Sequence, residues 1–147
     1  MSTNETRQFQ AVLAASGYSL TRPRQIVFDL LIAPEPQSMA ELVKKAAGKI
    51  DRASVYRTVA LFEELGIAHR IYIGWKYKLE LSDQFLAHHH HLSCLRCGKV
   101  VDIHDDARVE AFITGVAEQF GFAPRRHQLE VDGWCAVCQA ETAKQSN

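Results

Sequence analysis

Four cysteines fall in two pairs, Cys94-Leu95-Arg96-Cys97-Gly98 and Cys135-Ala136-Val137-Cys138. Two thiolates three residues apart can converge on one ion, and two such knuckles supply the four ligands of a tetrahedral Zn²⁺. The alternative is two separate redox or disulfide pairs. A redox C-x-x-C sits between a strand and a helix, and two of them in one small domain fit poorly. The sequence therefore predicts one shared zinc site on Cys94, Cys97, Cys135 and Cys138. The 37 residues between the knuckles exceed the gap of a simple ribbon. A helix and a strand fill that gap, so the site ties the end of the far strand to the near hairpin. Three residues before the first knuckle ends an internal run, His88-His89-His90-His91. On an extended segment successive side chains point to opposite faces. His88 and His90 then share one face, and His89 and His91 the other. One short strand can feed two metal sites. Glu80, Asp102, Glu110 and His127 are the candidate partners, and imidazole with carboxylate suits Zn²⁺, Fe²⁺ or Mn²⁺.

These groups need elements to hold them. The first half reads as helices. Phe9, Val12 and Leu13 recur at helical spacing before Gly17. Thr21-Arg22-Pro23-Arg24 opens a second helix with an apolar stripe of Ile26, Val27, Leu30 and Leu31, stopped by Pro34 and Pro36. Ser38 caps a third, carrying Leu42, Val43 and Ala46, and Asp51 caps a fourth over about 52–65, ended by Gly66. The period then changes. Residues 67–73 and 75–81 alternate around Gly74, which predicts a hairpin. Helices followed by a two-stranded ribbon make a winged helix-turn-helix. On the fourth helix Val55, Thr58, Val59 and Phe62 form the buried face. Ala53, Tyr56, Arg57 and Ala60 lie opposite, which is either an ordinary solvated face or, as the following hairpin favours, a face whose small residues admit a close surface while Tyr56 and Arg57 reach into a major groove.

Residues 82–87 read as a linker. Beyond it the spacing predicts strands near 91–95 and 99–103. A helix over about 105–120 follows, with Val109, Phe112, Ile113, Val116 and Phe120 on one face, and a last strand over about 126–131. This half of about 60 residues has little core of its own, and domains of that size need metals or oligomerisation.

The chain has 147 residues, 47% hydrophobic and 23% charged, the balance of an ordinary globular protein. No stretch is long and apolar enough to span a bilayer, and the polar opening residues carry no secretory core, so the expected location is cytoplasmic, with no membrane partner. Seventeen Lys and Arg balance seventeen Asp and Glu, which excludes a uniformly basic coat for nucleic acid but not a local basic face. Residues 1–83 hold 11 basic and 9 acidic side chains, residues 84–147 hold 6 and 8, so the halves differ by a few charges only.

A winged helix followed by H-H-H-H-x-x-C-x-x-C-G and a distal C-x-x-C resembles the ferric uptake regulator family of bacterial metal-responsive repressors. The matching stretches are Leu20-Thr21-Arg22-Pro23-Arg24, Ala53-Ser54-Val55-Tyr56-Arg57, Gly66-Ile67, the histidine run with Cys94 and Cys97, and Gly133-Trp134-Cys135. The resemblance covers roughly residues 8–140. It implies an α+β chain: a winged-helix DNA-binding domain over 1–82, a hinge over 83–87, and a small α/β metal-binding dimerisation domain over 88–147. It implies a structural zinc on Cys94, Cys97, Cys135 and Cys138. It further implies an inner site of His88, His90, Glu110 and His127, and a hinge sensor site of Glu80, His89 and His91, with Asp102 as a further ligand. Arg24, Tyr56 and Arg57 match positions that look DNA-contacting in relatives.

Members often take one hinge histidine from the loop between the second and third helices. Here that loop reads Pro34-Glu35-Pro36-Gln37-Ser38, and the stretch from Glu80 to the histidine run is about two residues longer. The expected hinge site is therefore open, with three protein ligands completed by Asp102 or water, and the inner site fills first. The chain has no fifth cysteine for a Cys-containing sensor site and no Cys-Pro pair for haem. The expected function is a homodimeric, metal-dependent transcriptional repressor on a double-stranded operator, controlling metal uptake and homeostasis, iron first. It carries structural Zn²⁺ and regulatory Fe²⁺, Mn²⁺ or Zn²⁺. Alternatives are a zinc, manganese or peroxide sensor of the same family, or a metal-buffering protein without DNA function. A metallohydrolase is disfavoured: no nucleophile or oxyanion motif is present, and a complete ligand set leaves no open position for substrate.

Overall fold

The structure, a computed structural model, describes residues 3–104 and 106–145. The chain divides between Ala87 and His88 into two units.

The first unit opens with α1 (Thr3–Ala15), α2 (Arg22–Leu31), α3 (Met39–Ala46) and α4 (Arg52–Glu64). Their starts are chemically marked. At α3 the Ser38 hydroxyl accepts from the Glu41 N–H while the Glu41 carboxylate accepts from the Ser38 N–H, a reciprocal cap. At α4 the Asp51 carboxylate accepts from the Ser54 N–H at 2.9 Å. The core gathers the expected stripes: Phe9 and Leu13 of α1, Val27, Phe28 and Leu31 of α2, Leu42 and Ala46 of α3, Val55, Val59 and Phe62 of α4. Phe9 stacks on Phe28 with centroids 4.0 Å apart and meets Phe62 edge-on.

Strands β1 (Ala68–Ile73) and β2 (Lys76–Leu81) form the expected antiparallel hairpin, with Ile73 opposite Lys76 and His69 opposite Glu80. Its two-residue turn puts Gly74 at φ +59°, the sign a type II′ turn needs at its first position. Ala68, Leu79 and Leu81 close the core. Gln37, in the loop after α2, exchanges both backbone hydrogen bonds with Leu79 at 2.7 and 2.8 Å and so adds a bridge beside β2. Phe85 and Leu86 are not a bare connector. They pack on the core of this unit, with the Phe85 ring edge-on to Phe28 at 5.1 Å.

The second unit holds β3 (His89–Cys94), β4 (Val100–His104), α5 (Ala107–Gln119), β5 (Glu130–Gly133) and α6 (Ala136–Gln145). Its sheet order is β4-β3-β5, with β3 antiparallel to β4 and parallel to β5. The expected strand over 126–131 is corrected to 130–133. Pairing with β3 begins only where His91 meets Glu130, and the preceding residues deliver His127 elsewhere. The expected helix start at Asp105 lies outside the described residues; Asp106 caps α5 by accepting from the Arg108 N–H. Helix α6, which follows Cys135, has no counterpart in the sequence reading because its apolar residues form no stripe.

This unit has almost no apolar interior. Among the described residues Cys94 and Cys138 are its buried hydrophobic side chains, while Phe112, Phe120 and Phe122 are each about seven-tenths exposed. Val101, Leu92 and Val131, aligned across the three strands, are exposed as well.

Candidate metal centre and candidate DNA-facing helix

The two C-x-x-C knuckles meet. Cys94 ends β3, Cys97 lies in the turn that Gly98 closes at φ +73°, Cys135 immediately precedes α6 and Cys138 lies in its first turn. The four Sγ atoms lie within 4.8 Å of one another, and Cys97 Sγ is 3.8 Å from Cys135 Sγ. A tetrahedral Zn²⁺ with Zn–S bonds of about 2.3 Å sets S···S separations of about 3.8 Å, so the donor set fits that ion. The Cys135 and Cys97 N–H groups draw the Cys94 thiol down to about 6, and the Cys135 N–H lies 3.4 Å from its sulfur. Burial among the other sulfurs pushes Cys138 up to about 12. Crowded thiols of opposite tendency are what one shared cation resolves. Arg96, inside the first knuckle, donates to the Cys138 carbonyl at 3.0 Å and to the Thr142 hydroxyl at 2.8 Å, pinning the first knuckle to α6. Spacing carried no signal for that role.

The alternation of the histidine run is realised. His88 and His90 turn toward α5, where Glu110 waits one turn in. His90 Nε2 lies 2.9 Å from Glu110 Oε1, His127 Nε2 3.3 Å and His88 Nε2 3.4 Å from the same oxygen, and His88 Nε2 is 3.0 Å from His127 Nε2. Tetrahedral ligands at about 2.0–2.1 Å stand roughly 3.3 Å apart, so three nitrogens and one carboxylate oxygen already have the spacing of a coordination shell. His90 is buried, and its Nδ1 has no hydrogen-bond partner among the described residues. Burial pushes the Glu110 carboxyl up, but the His90 hydrogen bond and the charges of His127 and His88 together outweigh it and hold it below its ordinary range.

His89 and His91 form the opposite set, rings 4.7 Å apart, and His91 Nε2 stands 3.8 Å from Asp102 Oδ1 across the β3–β4 ladder. Glu80 belongs to the first unit, on β2, where it is buried and its Oε1 lies 2.9 Å from His69 Nε2. His69 was missed in the sequence reading. It was legible, because a two-residue turn at 74–75 places 69 opposite 80. The loop that lacks a histidine spends Gln37 internally: its amide donates to the Glu35 carbonyl and accepts from Lys45.

On α4, Val55, Thr58, Val59 and Phe62 are buried while Ala53, Tyr56, Arg57 and Ala60 are exposed. Arg57 donates to the Ser54 hydroxyl at 3.1 Å, and the Arg52 guanidinium lies 5.4 Å from the centre of the Tyr56 ring. Arg24 is half-buried, over the Tyr18 ring and donating to the Ser19 carbonyl.

A winged-helix unit joined in one chain to a small sheet with a four-thiol cluster and a His₃Glu cluster defines a class of metal-binding regulators. The model of the ferric uptake regulator family matches residues 15–132. The ferric uptake regulation protein of Vibrio anguillarum is 37% identical over 130 residues, covering 84% of this chain and 85% of that one. The ferric uptake regulator structure of Vibrio cholerae superposes with a TM-score of 0.72 at 32% identity over 86% of this chain and 98% of that one. A ferric uptake regulator from Pseudomonas aeruginosa, solved with manganese, superposes with a TM-score of 0.70 at 25% identity, over 84% and 95%. The chain belongs to the ferric uptake regulator family, whose members are transcriptional regulators of metal homeostasis and not enzymes. No described helix is long and apolar enough to cross a membrane.

Proposed function

We propose that this chain is a cytoplasmic, metal-dependent repressor that binds an operator duplex as a homodimer and controls metal uptake, iron first. The observation that supports the reading is the ready-made His88/His90/Glu110/His127 cluster in a chain whose α4 leaves Tyr56 and Arg57 exposed. The Cys94, Cys97, Cys135 and Cys138 set is the structural zinc site in this proposal, and the His₃Glu set the inner regulatory site. A bound divalent ion would supply the charge on which these donors converge. The hinge sensor set is Glu80 from the first unit with His89, His91 and Asp102 from the second, across residues 83–87. Ligation there favours one geometry of the linker, and a population shift of this kind couples metal to DNA. Arg24, Tyr56 and Arg57 form the DNA contacts, with arginine suited to guanine or phosphate.

The homodimer is supported by the exposed α5 face, Phe112, Val116 and Phe120, and by the Val101–Leu92–Val131 row. Apolar patches of this kind mark interfaces, and a unit without an interior needs one.

The test is an anaerobic duplex-binding titration of the full chain with Fe²⁺, Mn²⁺ and Zn²⁺ over a range of salt. Metal-enhanced, salt-dependent binding is expected, with the most effective ion naming the sensor. Metal uptake with no duplex binding at any salt would leave a metal-buffering protein instead.

A further inference from the structure

Six of the seven histidines already have a place. His88, His90 and His127 converge on Glu110, His89 and His91 share the opposite face of β3, and His69 pairs with Glu80. The seventh, His104, ends β4 and is exposed. Register fixes its position in the sheet: His104 stands directly opposite His89, as Asp102 stands opposite His91.

The backbone hydrogen bonds tell which kind of pair these are. The Cys94 N–H donates to the Lys99 carbonyl, on the β4 side, at 2.8 Å. The His91 N–H donates to the Leu129 carbonyl, on the β5 side, at 3.2 Å. Even-numbered residues of β3 therefore bond toward β4 and odd-numbered ones toward β5. His89–His104 and His91–Asp102 are thus the non-hydrogen-bonded pairs of the antiparallel ladder. In such pairs the Cα atoms come to about 4.5 Å instead of about 5.5 Å, and the side chains stand closest. All four side chains belong to one face of the sheet, because opposite residues share a face and so do residues two apart. Three corners of this array are already near one another. The His89 and His91 rings are 4.7 Å apart, and His91 Nε2 is 3.8 Å from Asp102 Oδ1. His104 is the fourth corner.

We propose that His104 is a metal ligand: it joins His89, His91 and Asp102 on the outer face of β3 and β4 and biases the ion held there toward Zn²⁺ or Ni²⁺ and away from Mn²⁺. The inference rests on the hinge reading above and puts a named imidazole where that reading left a position to water. Opposite Cβ atoms in such a pair are about 4.5–5.5 Å apart, a gap that two imidazoles close on one ion between them. Two imidazoles directly opposite gain little as a bare cross-strand pair, since neither carries the opposite charge that stabilises one. A shared cation makes the pair a chelate. The added nitrogen also changes the character of the donor set, because imidazole suits Zn²⁺ and Ni²⁺ while carboxylate and water suit Mn²⁺.

The experiment uses the full chain, ring-¹⁵N-labelled at histidine and carrying zinc on its cysteines, titrated with Zn²⁺. Histidine ring signals are followed by NMR, with His104 assigned through His104→Gln. The His104 ring is expected to shift in the same step as His89 and His91, apart from the step that shifts His88, His90 and His127. His104→Gln should weaken zinc in the outer step by about tenfold or more, since even an outer-shell partner is worth that much. Mn²⁺ affinity, read from the free-ion electron paramagnetic resonance signal, should stay nearly unchanged in the same variant. An outer step that shifts His89 and His91 but not His104, and that His104→Gln leaves at parental affinity, overturns the inference and leaves the hinge reading standing. Equal losses for Zn²⁺ and Mn²⁺ overturn the selectivity. No shift of His89 or His91 at any zinc concentration overturns the hinge reading and the inference together.

Discussion

At the scale of residues, the two clusters differ in what they hold up. Cys94→Ser removes the one thiol that backbone N–H groups draw down to about 6. We expect it to lose about one tightly held zinc per chain and, with it, the stable dimer, because the second unit has almost no apolar interior to fall back on. Metal analysis and sedimentation check both; retention of both would reassign the site. Arg57→Ala is expected to weaken operator binding by ~1–3 kcal/mol and relax sequence preference if the guanidinium reads a base. A uniform loss with a salt slope lower by ~1 would mark a phosphate contact. Unchanged affinity would remove Arg57 from the interface. Glu80→Ala should abolish metal-enhanced duplex binding while zinc stays on the cysteines, since Glu80 is the ligand that the proposed hinge site takes from the first unit; a full metal response in that variant would refute the hinge assignment.

At the scale of elements, the cap of α3 offers a pH test with a definite sign. The Ser38 hydroxyl and the Ser38 N–H hold the Glu41 carboxyl below its ordinary value of 4.5. A lowered folded-state pKa contributes stability that is complete above the unfolded value and lost as the pH falls through the folded one. Ser38→Ala should therefore cost the first unit about 1 kcal/mol near neutrality. The gap to the parent protein should shrink below pH 4.5. Denaturant melts at two pH values check it, and a gap that widens on acidification would contradict the capping account.

At the scale of the whole molecule, the proposed assembly rests on the apolar face of α5. Phe120, the C-cap of α5, is largely exposed, and Phe120→Asp should dissociate the proposed dimer, with light scattering as the readout, without displacing zinc from the thiols. A variant that stays dimeric would move the interface elsewhere. Because a bound metal must displace protons from its ligands, filling of the His88/His90/Glu110/His127 site should weaken on acidification. Calorimetric titration at several pH values reads that directly.

Local chemistry made much of this legible in the sequence. Caps at Ser38 and Asp51, the stripes of α1 to α4 and the period change after Gly66 all act over a few residues, and each appears where the spacing put it, while the turn takes Trp75 as well as Gly74, so that the second strand starts at Lys76. The strand alternation sorted His88 and His90 from His89 and His91 for the same reason. Three features depended on long-range pairing and could not be read locally. The start of β5 at Glu130 is decided by where parallel pairing with β3 begins. Helix α6 is held through Arg96 and the cysteine cluster, not through an apolar stripe of its own. The convergence of three imidazoles on one oxygen of Glu110 required β3, α5 and the segment before β5 to meet. Periodicity states which face a side chain takes; only tertiary packing brings faces far apart in the chain to within a bond's reach of one another.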